Sequence, residues 1–104
     1  MSEIEKMMQN ANIEKHWNST PYGGVEEYYP PFTAEKQLLL LQWIVNKTDL
    51  YLHRHKTDFT YSIASGDIAV NKNKDFKESI AEFINTYWQD LTEEECKQIK
   101  EILE

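Results

Sequence analysis

Four stretches of this chain repeat their apolar residues at helical spacing, and one stretch between them alternates. In residues 3–9, EIEKMMQ, the apolar Ile4, Met7 and Met8 fall at i, i+3 and i+4, which predicts a short amphipathic helix. Thr33 is placed to cap the segment TAEKQLLLLQWIVN, predicting a second helix to about Asn46. Its apolar positions Leu38, Leu39, Leu40, Leu41, Trp43, Ile44 and Val45 cover most of the circumference and leave a narrow polar strip at Glu35, Gln42 and Asn46. A helix apolar on most sides is expected to be central and buried. Asp75, with Glu78 three residues on as its reciprocal capping partner, opens a third helix on Phe76, Ile80, Phe83, Ile84 and Tyr87 that runs to about Gln89. Thr92 with Glu95, preceded by Leu91 as a staple to Cys96, opens a last helix that reaches about Leu103.

Between the second and third helices the period changes to two. Leu50, Leu52 and Arg54 alternate with Tyr51, His53 and His55, and Phe59, Tyr61 and Ile63 alternate with Thr60 and Ser62. HKTD at 55–58 suits a hairpin loop, and Ser65-Gly66-Asp67 a second turn before a third strand at Ile68-Ala69-Val70. The fold class is therefore α+β: one domain spanning 1–104, with a central helix and a C-terminal helix pair packed on a short antiparallel β-meander, in the order α-α-β-β-β-α-α.

Residues 18–31, NSTPYGGVEEYYPP, combine turn formers with a Gly pair and a Pro pair. They read as one long loop, unusual in a compact domain unless it serves a function. Tyr22, Tyr28 and Tyr29 lie in it, with Trp17 before and Phe32 after. Either these rings tack the loop onto the core, or they form an aromatic binding surface.

At 104 residues with 40% hydrophobic content, the chain suits a single folded domain despite its 28% charged residues. One cysteine, Cys96, permits no internal disulfide, and MSEIEKMMQN lacks the features of a signal peptide, so a cytoplasmic, reducing location is expected. No apolar run approaches the roughly 20 residues that span a bilayer, so no membrane association is expected. The net charge of −7 is concentrated at the end: residues 75–104 hold nine acids against three bases. Direct nucleic-acid binding is disfavoured, because that surface repels phosphate and the bases of the middle segment are sparse.

Little in the chain points to chemistry. His53 and His55 lie two apart on an expected strand, and with His16 or a carboxylate they would approach a metal site, but two ligands fall short of the three or four that metals require. No nucleophile elbow, P-loop or dinucleotide fingerprint is present, and Cys96 lies on an apolar helix face. No catalytic residue, metal or cofactor is assigned. The acids Glu78, Glu82, Asp90, Glu93, Glu94, Glu95, Glu101 and Glu104 of the last two helices read as a solvated face, or as a surface that occupies a basic groove built for nucleic acid. The first turn of the last helix is also where its dipole favours Glu93, Glu94 and Glu95.

Two stretches, YYPPFTAEKQLLLLQWIVN at 28–46 and DFKESIAEFINTYWQDLTEEECKQIKEILE from Asp75, resemble a group of small uncharacterised proteins from phages and prophages of Firmicutes. The resemblance covers about half the chain and carries helix starts and core faces, with no active site. It implies an accessory protein that binds and blocks a host protein, such as a restriction or CRISPR nuclease. The expected function is thus stoichiometric binding to a basic host protein, a nuclease or a nucleic-acid-binding protein, through Glu78, Glu82, Asp90, Glu93, Glu94, Glu95 and Glu101. The alternative surface is Trp17, Tyr22, Tyr28, Tyr29, Tyr51, His53 and His55, with a small molecule or nucleotide as the alternative ligand. Oligomeric state stays open, because Trp17, Trp43 and Trp88 suit either an interior or a dimer contact.

Overall fold

The computed structural model describes residues 2–47, 50–54, 60–65, 68–69 and 75–104. The chain is mixed α+β, in the order α1 (Glu3–Asn10), β1 (His16–Ser19), β2 (Val25–Tyr28), α2 (Ala34–Lys47), β3 (Tyr51–Arg54), β4 (Tyr61–Ser65), β5 (Ile68–Ala69), α3 (Phe76–Thr86), a 3-10 turn at Trp88–Asp90, and α4 (Glu93–Leu103). The meander is antiparallel in the order β3-β4-β5, with Leu52 opposite Ile63 and Ala64 opposite Ala69. The expected turns at 55–58 and 66–67 and the end of the third strand at Val70 lie outside the described residues.

The core is built where helical stripes meet. Met7 and Met8 of α1, Leu40 and Ile44 of α2, Ile63 of β4, Ile80 and Ile84 of α3, and Ile99 and Leu103 of α4 are fully buried. Each such side chain contributes on the order of 1.5–3 kcal/mol by leaving water. α1 lies against α3, α2 against α4, α3 and β3, and α3 against β4. Polar bonds tie the helices across long sequence distances. The Lys36 ammonium donates to the Leu103 carbonyl at the end of α4 (2.8 Å), and the Trp43 indole N–H donates to Gln98 Oε1 (2.8 Å). Ser62 and Ser79 are buried, and among the described residues no buried side-chain polar atom lacks a partner.

Four expectations change. α2 is central but not buried on most sides: Leu40 and Ile44 face the core with Leu41 and Trp43 half-buried beside them, while Leu38, Leu39 and Val45 stay exposed. One small core has room for one stripe of a helix, not its circumference. α3 ends at Thr86 rather than Gln89, since Thr86, Tyr87 and Trp88 are weak helix formers and the following 3-10 turn lets Trp88 and Leu91 pack on the core. Glu78 does not reciprocate the Asp75 cap. Asp75 Oδ1 accepts from the Lys77 N–H (3.1 Å), whereas Glu78 Oε2 accepts from the Glu3 N–H at the start of α1 (3.0 Å). The first N–H groups of a helix are donors without an intrahelical acceptor, and the positive end of the helix dipole favours a carboxylate that accepts from them.

The fourth change is the largest. Residues 18–31 are not one loop, because His16–Ser19 and Val25–Tyr28 pair as an antiparallel hairpin, with His16 opposite Tyr28, Trp17 opposite Glu27, Asn18 opposite Glu26 and Ser19 opposite Val25. The Pro and Gly residues sit at the turn and beyond the second strand, so they interrupt neither ladder.

Candidate functional site

The hairpin is launched by the end of α1. Asn12 takes a left-handed conformation (φ 56), the Asn12 N–H donates to the Gln9 carbonyl, and the Ile13 N–H donates to the Met8 carbonyl (3.0 and 2.9 Å). This is a Schellman closure with asparagine in the position glycine usually fills, and it buries Ile13 as the last anchor before β1. Beyond that anchor all residues of both four-residue strands are exposed. The radius of gyration is 15.2 Å, above the roughly 13 Å of a compact domain of this length. The molecule measures 53 × 35 × 22 Å, an elongation that suits an arm standing off a body.

The turn explains why so short a hairpin forms. The Thr20 N–H donates to the Gly24 carbonyl (2.8 Å) and the Gly23 N–H to the Thr20 carbonyl (3.2 Å), with Pro21 and Tyr22 between them. Proline presets the first central residue of such a turn, and Gly23 supplies the positive φ of 81° that matches it to the strand twist. The Gly24 N–H donates to Thr20 Oγ1 (2.9 Å), and a Cβ on Gly24 would stand 3.0 Å from that oxygen, so a larger residue there would push the Thr20 hydroxyl aside. At the base, the Lys15 ammonium lies 5.0 Å from the Tyr29 ring centroid, and His16 stacks on Tyr28 at 5.8 Å.

This construction places large apolar groups in water. Trp17 is 66% exposed, Tyr22 at the tip 96%, and Val25 65%. Alternation puts Trp17, Ser19, Val25 and Glu27 on one face and His16, Asn18, Glu26 and Tyr28 on the other. A depression of about 330 Å³ at the base is lined by Glu5, Lys15, Glu27, Tyr28 and Tyr29, and another of about 270 Å³ by Ile13, Glu14, His16, Pro30 and Glu104. Of the sequence-predicted aromatic surface, Trp17, Tyr22 and Tyr28 thus share the arm, and Tyr29 is half-buried at its root. Tyr51 and His53 belong to β3 in the other sheet, and His55 lies outside the described residues. His16 and His53 are therefore in different sheets, and among the described residues no three His, Cys, Asp or Glu side chains are grouped to hold a metal.

The acidic candidates divide by use. Glu78 caps α1, and Glu95 completes the α4 capping box, its Oε1 accepting from the Thr92 N–H (3.1 Å) while Thr92 Oγ1 accepts from the Glu95 N–H (3.2 Å). Glu82 is half-buried on α3. Asp90, Glu93, Glu94 and Glu101 face solvent, but Lys97 stands four residues from both Glu93 and Glu101, and Lys100 pairs with Glu104 at 3.8 Å. Acids interleaved with lysines at helical spacing make a solvated face of mixed sign. Cys96 is half-buried, its thiol pushed above the ordinary value first by burial and then by Glu95. No helix among the described residues is long and apolar enough to cross a membrane.

Sequence reasoning found the aromatic residues but missed Val25 and Glu27 as members of a strand pair. The signal was Thr20-Pro21-Tyr22-Gly23-Gly24, a turn sequence between two segments of equal length. The structure thus defines a small α+β body bearing a projecting β-hairpin. No family model, curated protein or solved structure matches the chain.

Proposed function

We propose that this protein is a non-catalytic accessory factor that binds a partner protein stoichiometrically, and that its hairpin arm is the part that docks. The observation that carries the reading is the display of Trp17, Tyr22 and Val25 on a short arm whose strand residues are all exposed. Aromatic side chains dominate the energetics of protein interfaces, and a two-stranded hairpin alone is only marginally stable in water, so burial of this arm against another surface is favourable twice over. The net charge of −7 favours a partner with a basic surface, because complementary potential speeds encounter. A nuclease or nucleic-acid-binding protein of a bacterial host fits that description. With the resemblance to phage and prophage proteins, this supports inhibition of a host defence nuclease as the biological role.

Affinity capture with three baits tests it: the wild-type chain, Trp17→Ala/Tyr22→Ala, and Glu93→Gln/Glu94→Gln/Glu101→Gln. A specific host protein held by the wild type and by the helix variant, but released by the arm variant, is the expected result. Capture that ignores the arm and disappears with the helix acids would replace the arm by the acidic helices as the binding surface.

A further inference from the structure

Toward its base, the face of the arm that carries Trp17 sets an aromatic residue beside a charged one twice over. Nearest the body, Lys15 and Tyr29 meet on this face, and the lysine ammonium already occupies the tyrosine ring at 5.0 Å. One step outward, Trp17 stands opposite Glu27. Directly opposed residues hold their side chains about 4.5–5.5 Å apart at Cβ, so the indole and the carboxylate flank a shared space. This second pair has an aromatic face and an anion but no cation. Among the described residues, no side-chain hydrogen bond, ion pair or ring contact engages the Trp17 indole or the Glu27 carboxylate.

We infer that the Trp17–Glu27 pair is a subsite for an arginine side chain presented by the partner protein, an assignment that rests on the arm being the docking surface. Tryptophan is the best of the aromatic faces for a cation. A guanidinium is planar, so it stacks on the indole while its edge N–H groups reach a carboxylate, which a lysine ammonium matches only as a point charge. The depression of about 330 Å³ at the base of the arm is lined by Glu27 but not by Trp17, and it brings Glu5 as a second carboxylate near Glu27 against the single cation Lys15. Ser19 and Val25 continue the face toward the tip and leave space for the rest of a basic, extended segment.

The test titrates the ¹⁵N-labelled chain with two capped peptides, tetra-arginine and tetra-lysine, and follows the Trp17 indole N–H and the amides of residues 15–29. The expected result is a shift centred on Trp17 and Glu27, with the arginine peptide bound about fivefold more tightly than the lysine peptide. Glu27→Gln and Trp17→Ala should each weaken it at least about fivefold, while Glu94→Gln on the exposed face of α4 should leave it unchanged. Body resonances that stay in place in each variant show that the fold is intact. Equal response to both peptides, shifts spread over the α4 acids, or indifference to Glu27→Gln would overturn the arginine subsite. If any of these occurs while partner capture still depends on Trp17 and Tyr22, the arm docks into an apolar groove and only this inference falls. If capture does not depend on the arm, the docking role falls with it.

Discussion

Replacing Trp17 with alanine separates a docking residue from a core residue by the ratio of two losses. About a third of the Trp17 residue surface is covered in the free chain. Taking roughly 150–250 Å² for a fully buried aromatic side chain, the covered part is about 50–80 Å², or about 1–2 kcal/mol at 25 cal/mol per Å². Part of that cover comes from neighbours on the arm itself, so the stability cost should be about 1 kcal/mol or less, against about 3–5 kcal/mol for truncating a buried Trp or Phe. The exposed two-thirds, roughly 100–165 Å², are worth about 2.5–4 kcal/mol if a partner covers them, which is on the order of a 70- to 1000-fold loss of affinity. Urea unfolding followed by far-ultraviolet circular dichroism gives the first quantity, with Ile84→Ala as a buried comparison expected to cost about 2–5 kcal/mol. Titration of the captured partner gives the second. A Trp17→Ala chain destabilised as much as Ile84→Ala would refute the reasoning, since it would mean the arm is part of the cooperative body.

Four further outcomes follow from particular contacts. Glu78→Gln keeps an acceptor near the Glu3 amide but removes its charge from the start of α1, so it should lower stability by about 0.3–1 kcal/mol, while Glu101→Gln, exposed and beyond the first turn of α4, should change it by less than about 0.5 kcal/mol in the same urea series. Asn12→Ala puts a Cβ-bearing residue without a local hydrogen-bonding side chain at φ 56 and should cost about 1 kcal/mol, whereas Asn12→Gly should be neutral or stabilising, as thermal melts will read. The Cys96 thiol is held above its ordinary value, so the folded chain keeps its proton longer than the unfolded chain. Its stabilising contribution is complete at neutral pH and is lost as pH rises through the raised value, and Cys96→Ala should flatten that alkaline loss in unfolding curves measured between about pH 7 and 10. Raising salt from about 0.05 to 0.5 M should slow association with a basic partner while leaving dissociation nearly constant, and Trp17→Ala should do the reverse, both measurable by surface plasmon resonance.

The body of the molecule was legible because its signals are local. The Asp75 and Thr33 caps, the Thr92–Glu95 box, and the switch from a period near 3.6 to a period of two each act within a few residues, and the α+β class follows from them. What was not legible depends on neighbours far along the chain. Glu78 lies 75 residues from the amide it caps, and only the packing of α1 on α3 brings them together. The exposure of Leu38, Leu39 and Val45 depends on how many partners α2 meets, which no window of sequence records. The arm was missed for a different reason: HWNS and VEEY are short, exposed on both faces and without alternation of polarity, so the rule that detects half-buried strands has nothing to detect. Only the turn carried the information, through Pro21 and the Gly23-Gly24 pair.

The exposed arm raises a physical difficulty whose resolution bears on function. A short hairpin with two open edges invites pairing with another copy. On β2 the adjacent Glu26 and Glu27 oppose that, because a second copy would set like charges against them. On β1 the strand His16-Trp17-Asn18-Ser19 carries no charge when His16 is neutral, so self-association there is opposed only by the −7 charge of each chain. That general repulsion acts equally on every acidic neighbour and weakens for a basic one. If the arm docks as proposed, the same charges that keep copies apart would draw a cationic partner toward it, where exposed indole, phenol and valine side chains would supply the free energy of contact. On this reasoning the acids of the body govern which surfaces approach and how fast, and the arm governs how long they stay.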